Sequence, residues 1–357
     1  MDLGGIENAL RNYYRSLDHT KVQFDFLLTA SGKCHFEEEI KIYGGRIYRI
    51  PPLSKKNPFK YFIGIKNFLK DHPEYNIWHA HSASKSVIPL FIAKKNGVRN
   101  LISHSHTASK LKGLNGILRE ILKSPLKKTA GHWFACSEEA AKFLYGVNSS
   151  ADSRIRILKN VIDTDRFEYS AEKREKIRKK LGLSDNTILI GTVGRLSAVK
   201  NQTFILEILN NLIKDGQDAK VIFVGDGESR KMLENYASSL SLNEYCFFTG
   251  GVANVEDYYN AMDVFLLPSF REGLGMAAIE AQATGLRCIV STGVPEECNV
   301  TGNVEFLPLD KGAEYWGKKI SETDSHQRKS EKQKLIMGGY DASTEASKLQ
   351  EFYINLS

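Results

Sequence analysis

Short apolar runs separated by longer amphipathic stretches recur along this chain, and the series restarts once. The first series comprises Val22 to Leu28, Arg46 to Ile50, Asn76 to Ala80, Asn100 to Ser105, Trp133 to Ser137 and Ile155 to Leu158. Each run has strand length and each intervening stretch can hold a helix, so the pattern predicts βα alternation and a parallel sheet. A second series covers Thr187 to Gly194, Ala219 to Val224, Cys246 to Thr249, Val264 to Leu267 and Arg287 to Val290. The restart predicts an α/β protein of two doubly wound domains, which 357 residues at 42% hydrophobic content can fill. The expected bounds are 1–162 and 163–339, with a closing helix in 340–357 that completes the first domain through Leu349, Phe352, Tyr353 and Leu356. Between the domains lies the charged stretch Glu172 to Lys180, with Ser170 as cap and Gly182 as stop, which predicts a solvated hinge-side helix.

A net charge of +7 suits anionic small molecules or a lipid surface as well as nucleic acid, and does not choose among them. Five cysteines, Cys34, Cys136, Cys246, Cys288 and Cys298, are scattered without a CxxC pair. That argues against a zinc site and a disulfide framework, and for a reducing cytoplasm. There is no apolar run of about 18 residues and no basic-then-apolar start, so the expectation is a chain neither membrane-spanning nor secreted.

The chemistry concentrates in Phe270 to Glu280, where Glu272 and Glu280 flank Gly273-Leu274-Gly275 between a strand-like run and a helix-like one. A helix entered through glycines offers unpaired amides and a positive dipole end, suited to a phosphate or a sugar oxygen. Glu280 lies ~7.5 Å along that helix from Gly275, a distance that can separate the two ends of a sugar-diphosphate-ribose ligand. Upstream, Val193-Gly194-Arg195 ends a strand and Lys200 follows. Arg195 and Lys200 can clamp a diphosphate without a metal, or be two surface cations. Val224 to Arg230 holds a lone GxG, read as a βα turn whose Gly225 can approach a nucleotide.

Two histidine pairs, His79/His81 and His104/His106, sit at strand ends in the first domain, where open α/β sheets bind ligands. Taking alternate residues of each strand to face opposite sides, no metal is expected; for His79 and His81, packing and function both stay open. Lys110 to Lys128 reads as a basic amphipathic helix with Leu114, Ile117, Leu118, Ile121 and Leu122 at helical spacing. It fits a core-facing helix with a solvated basic face or an anionic membrane surface.

Gly4-Gly5-Ile6-Glu7, Gly194-Arg195 with Lys200-Asn201, and Glu272-Gly273-Leu274-Gly275 with Glu280-Ala281-Gln282 resemble the family 4 retaining glycosyltransferases of GT-B fold, over nearly the whole chain. Asn12-Tyr13-Tyr14-Arg15 before Phe24-Asp25-Phe26 is similar to the exopolysaccharide and capsule-biosynthesis members. One departure is that no strand precedes Gly4-Gly5; either residues precede Met1 in the native protein or the acceptor-side domain lacks its first strand, and with it full activity.

The resemblance implies two Rossmann-like domains facing a cleft, with a nucleoside diphosphate sugar bound by the second. It implies Arg195 and Lys200 on the diphosphate, Glu280 on the ribose, and Glu272 on the transferred sugar. The amides of Gly273, Leu274, Gly275 and Met276, with Gly4 and Gly5, complete the donor site. The family's histidine near the reacting sugar matches His106 best and His104 next, with His81 a further candidate. The implied reaction moves a hexose or N-acetylhexosamine, from UDP in the first place, to a lipid-linked saccharide with retention. No cofactor, metal or nucleic acid is implied, and the expected location is the cytoplasm, peripheral on the inner face of the plasma membrane. A GT-B epimerase or phosphorylase and a non-catalytic GT-B scaffold are the rival readings.

Overall fold

The computed structural model describes residues 5–29, 32, 36–54, 57–106, 114–322 and 328–356. The chain divides into two compact units, Met1–Val161 with Gly339–Ser357, and Ile162–Gly338.

In the first unit the strands are β1 (Phe26–Leu28), β2 (Ile47–Arg49), β3 (Ile77–Ala80), β4 (Asn100–Ser105), β5 (His132–Ala135) and β6 (Ile155–Ile157). β1 and β2 form a parallel pair, and β3-β4-β5-β6 a parallel four-stranded sheet. One core lies under the helices Pro58–Asp71 and Val87–Lys95, which contribute Ile65, Leu69 and Leu90. The other gathers Tyr13 and Tyr14 of the helix Gly5–Arg15, Ile102 of β4, Phe134 of β5, and Ala346, Leu349 and Tyr353 of the helix Ala342–Ile354. That last helix, capped by Asp341 accepting from the Thr344 amide at 2.8 Å, is therefore an integral layer of the first unit.

The second unit holds β7 (Ile188–Val193), β8 (Ala219–Val224), β9 (Cys246–Gly250), β10 (Val264–Leu267), β11 (Arg287–Ser291) and β12 (Val304–Leu307). They form one parallel sheet in the order β12-β11-β10-β7-β8-β9. Helices cover its faces, so the inner strands are apolar without alternation: Val221 to Val224 and Val264 to Leu267 are all buried. The helix Gln202–Lys214 seals one face with Phe204, Ile205, Ile208, Leu209 and Leu212 against Trp316 and the sheet. The chain winds outward from β7 in one direction to β9 and then returns to β10 on its other side. The gap between β7 and β10 is thus the topological switch point, where loops splay apart at the carboxyl ends of the strands.

The charged helix, Ala171–Lys180, differs from its expected solvated state. Ser170 caps it by accepting from the Lys173 amide at 3.2 Å, and Gly182 leaves it at φ +64°. However, Arg174 and Arg178, four residues apart and so on one face, turn inward onto Asp263. Asp263 accepts from Arg174 at 2.5 Å, from Arg178 at 2.9 Å and from the Leu189 amide at 2.7 Å. Arg178 also donates to the carbonyls of Ser184 and Thr187 at 2.6 and 2.7 Å. Only the outer face, with Glu172, Lys176, Lys179 and Lys180, meets solvent. A buried carboxylate just ahead of β10 draws in cations that a charge run alone assigns to water.

Candidate active site

Two loops meet over the switch point. The one after β7, Gly194 to Asn201, lies beside the one after β10, Pro268 to Gly275; the Phe270 amide donates to the Val199 carbonyl at 2.9 Å. The side chains meet as well. Lys200 Nζ donates to Glu272 Oε1 at 2.6 Å, and Ser269 Oγ donates to the same oxygen at 2.6 Å. The Glu272 amide is held by the Gly293 carbonyl at 3.0 Å. Both partners of the ion pair are mostly buried, so solvent screens it little. Arg195, by contrast, is exposed, and its guanidinium has no bonded partner among the described residues. One cation is thus held on a carboxylate, while the other stands in solvent.

Gly275 enters the helix Met276–Ala283 at φ +84°, a left-handed conformation that a residue with a Cβ adopts only with strain. No side chain caps this helix, and in its first turn the Ala278 amide donates to the Gly275 carbonyl at 2.8 Å. One turn further in, the single proton of the Tyr259 hydroxyl is shared between Glu280 Oε2 at 2.9 Å and the Ala277 carbonyl at 3.0 Å. Burial pushes the Glu280 carboxyl up to about 7, with the Tyr259 bond and the Arg166 guanidinium opposing the rise and the Glu256 carboxylate adding to it. Arg166 itself donates to Glu256 at 2.7 Å.

Gln282 anchors the back of this helix. Its amide group donates to the carbonyls of Ala278 and Cys298 at 2.9 and 2.7 Å; its oxygen accepts from the Val300 and Thr301 amides and the Thr301 hydroxyl, each at 3.0 Å. The side chain is fully buried and fully bonded, tying the helix to the loop after β11.

Gly225 is placed by the sheet as a βα turn, its amide on the Gly250 carbonyl at 3.0 Å and its Cα hydrogens against the Gly194 carbonyl. Ser269, Tyr259, Arg166 and Gly293 were not singled out by sequence, and Gln282 only as part of the motif Glu280-Ala281-Gln282. Gly293 had a visible signal: it follows β11 directly, and a Cβ there would lie 2.4 Å from the Phe270 carbonyl. Ser269, three residues before Glu272, offered a weaker one. Tyr259 and Arg166 come from distant elements and offered none.

In the first unit, Gly5 opens its helix, and Gly4 lies outside the described residues, as do Thr107 to Gly113 and Cys34. The four histidines come together at the carboxyl ends of β3 and β4. The expectation that the members of each pair face opposite sides is wrong, because residues two apart on a strand share a face. The rings of His79 and His81 stack at 4.4 Å between centroids, and those of His104 and His106 at 3.9 Å. His81 Nδ1 lies 2.8 Å from His106 Nε2, and His79 Nε2 lies 3.2 Å from His104 Nδ1. His79 Nδ1 meets the Tyr353 hydroxyl at 2.5 Å. Burial pushes His79 down to about 3 and His106 to about 4, and holds His81 and His104 well below the ordinary imidazole range; neighbouring histidines depress the first, third and fourth further.

The model for "Glycosyltransferase Family 4" matches residues 3–166 and that for "Glycosyl transferases group 1" residues 173–323. EpsF of Bacillus subtilis (strain 168), named as a glycosyltransferase, is 30% identical over 99% of this chain and 94% of its own length. An Escherichia coli UDP-Gal:alpha-D-GlcNAc-diphosphoundecaprenol alpha-1,3-galactosyltransferase is 26% identical over 84% of this chain and 78% of its own. Among solved structures, Anabaena HepE in complex with UDP and glucose aligns with a TM-score of 0.75 at 18% identity, covering 98% of this chain and 96% of that one. A glycosyltransferase from Rickettsia africae aligns with a TM-score of 0.78 at 18% identity, covering 100% and 97%. The architecture is GT-B, and the chain belongs to the group 1, family 4 glycosyltransferases.

Proposed function

We propose that this glycosyltransferase moves a hexose or N-acetylhexosamine from UDP-sugar to a lipid-linked saccharide in surface polysaccharide synthesis, with retention of configuration. The observation that carries the donor half is the Lys200–Glu272 pair at the switch point, beside an unpartnered Arg195 and an uncapped helix entrance. Breaking the sugar–phosphate bond places negative charge on the departing diphosphate. Arg195 and Lys200 meet it as fixed cations, acting like an oxyanion hole. Lys200 then exchanges its bond to Glu272 for one to phosphate, and Glu272, retained by Ser269, turns to the hydroxyls of the transferred sugar. Glu280 accepts from the ribose hydroxyls, while the amides of Gly273 to Met276 take the remaining sugar or phosphate oxygens. Attack comes from the face the diphosphate leaves, guided by that group, without a protein nucleophile. UDP is favoured because HepE, with the same fold, carries UDP.

The acceptor reading rests on the E. coli relative, whose name specifies a diphosphoundecaprenol-linked sugar, and on the surface of the first unit. The helices Pro58–Asp71, Val87–Lys95 and Leu114–Thr129 pack side by side. They expose Phe59, Ile63, Phe91, Ile117 and Ile121 among Lys60, Lys66, Lys94, Lys95 and Lys128. Each helix also packs into the core, through Ile65, Leu90 and Leu126 among others, while its outward apolar side chains among lysines suit an anionic bilayer. No described helix is long and apolar enough to cross a membrane.

Calorimetry with UDP and GDP on wild type and Glu280→Ala tests the donor assignment. UDP binding weakened in the variant is expected; equal binding by both proteins removes the ribose role of Glu280, and no binding by either favours a non-catalytic scaffold. Incubating UDP-sugar without acceptor separates a transferase, which leaves it intact, from an epimerase.

A further inference from the structure

We propose that His79, His81 and His104 form a binding site for one divalent transition-metal ion of the zinc class. One ring nitrogen of each lies within 4.8 Å of the others, against the ~3.4 Å that separates tetrahedral ligands at zinc–nitrogen distances of about 2.0–2.1 Å, and the His79 Nε2–His104 Nδ1 separation is 3.2 Å. Small ring rotations close the difference. The remaining nitrogens are already engaged in the manner of outer-shell partners: His79 Nδ1 meets the Tyr353 hydroxyl and His81 Nδ1 meets His106 Nε2. The bond to His106 leaves Nε2 of His81 for an ion, and His79 Nε2, 3.2 Å from His104 Nδ1, would exchange that contact for one to the ion.

A second observation points to the same place. His104 Nε2 and His106 Nδ1 are buried without a hydrogen-bond partner among the described residues. A buried polar nitrogen left unpaired is costly, and the His104 Nε2 atom, a member of the proposed set, gains a partner if an ion is bound. The donor set selects its chemistry. It contains no carboxylate, which disfavours magnesium and calcium, and imidazole alone suits zinc, nickel, copper and cobalt. Neutral imidazoles also bind without giving up a proton. A three-imidazole set leaves the fourth position of a tetrahedron to water or another small ligand.

The test uses the full chain after chelator treatment, with Co(II) followed by visible absorption and zinc followed by competition against it. One equivalent of Co(II) with ligand-field bands, displaced by zinc, is expected. His104→Asn should weaken binding by more than about tenfold, and His81→Gln, checked for native circular dichroism, repeats the test if the first variant fails to fold. Absence of saturable binding, or equal affinity in wild type and both variants, overturns the proposal; the second result would place the ion on other histidines or cysteines.

Discussion

At the scale of single residues, the second unit keeps its reactive groups on short tethers. Lys200→Ala should lower turnover by about two to three orders of magnitude in a UDP-sugar transfer assay if this cation neutralises the leaving group. Near-normal turnover would make it a mere counter-ion to Glu272. Glu280 supplies a prediction in pH. Its folded-state pKa, about 7, lies above the ordinary carboxyl value of 4.5, so between those values the native state holds a proton that the unfolded state has lost. Stability therefore falls as pH rises from 4.5 to 7, and the cost is complete above 7. Glu280→Gln should remove this slope and gain up to about 3 kcal/mol at pH 8 in urea melts. A variant no more stable at pH 8 than at pH 5, relative to wild type, would contradict the buried-carboxyl account. Gln282→Leu leaves the Val300 and Thr301 amides without an acceptor and should cost about 2–4 kcal/mol in the same melts.

At the scale of elements, strands were more legible than the interactions that fix them. The runs 100–105, 219–224 and 264–267 match β4, β8 and β10 to the residue; β10 and most of β8 are the continuous apolar runs of buried parallel strands, whereas β4 is apolar only at Leu101 and Ile102. β12, Val304–Leu307, escaped notice: it is a four-residue edge strand interrupted by Glu305. β1 begins at Phe26, four residues after the expected start. The site divides in the same way. Glu272 and Lys200 were legible as types in the right loops, but that they bond each other depends on β7 and β10 being neighbours, which no local pattern encodes. The charged helix shows the limit most sharply, since Arg174 and Arg178 acquire their inward role from Asp263, 89 and 85 residues away. Asp263→Ala, which leaves two buried guanidinium groups uncompensated, should cost about 3–5 kcal/mol. For the lysine-rich helical face, Ile117→Asp with Ile121→Asp should abolish sedimentation with anionic vesicles, and wild-type binding should fall as salt rises. Salt-insensitive or absent wild-type binding would remove the membrane role.

At the scale of the whole molecule, the first unit draws its core from both ends of the chain. Leu349→Ala should cost about 2–5 kcal/mol and raise amide exchange in β3 to β5, some 250 residues earlier, while leaving β7 to β9 protected. Exchange that rises equally in both units would show that they unfold as one. Because Ala346, Leu349 and Tyr353 lie beside Ile102 and Phe134, the sheet of the first unit is roofed by residues made after the whole of the second unit. During synthesis the second unit is complete in sequence while the first still lacks this roof, so the usual order in which an amino-terminal domain settles first is reversed. A nascent chain stalled near residue 338 would present the apolar faces of β4 and β5 to chaperones, and emergence of residues 339–357 from the ribosome would be the step that commits the first unit to its native state.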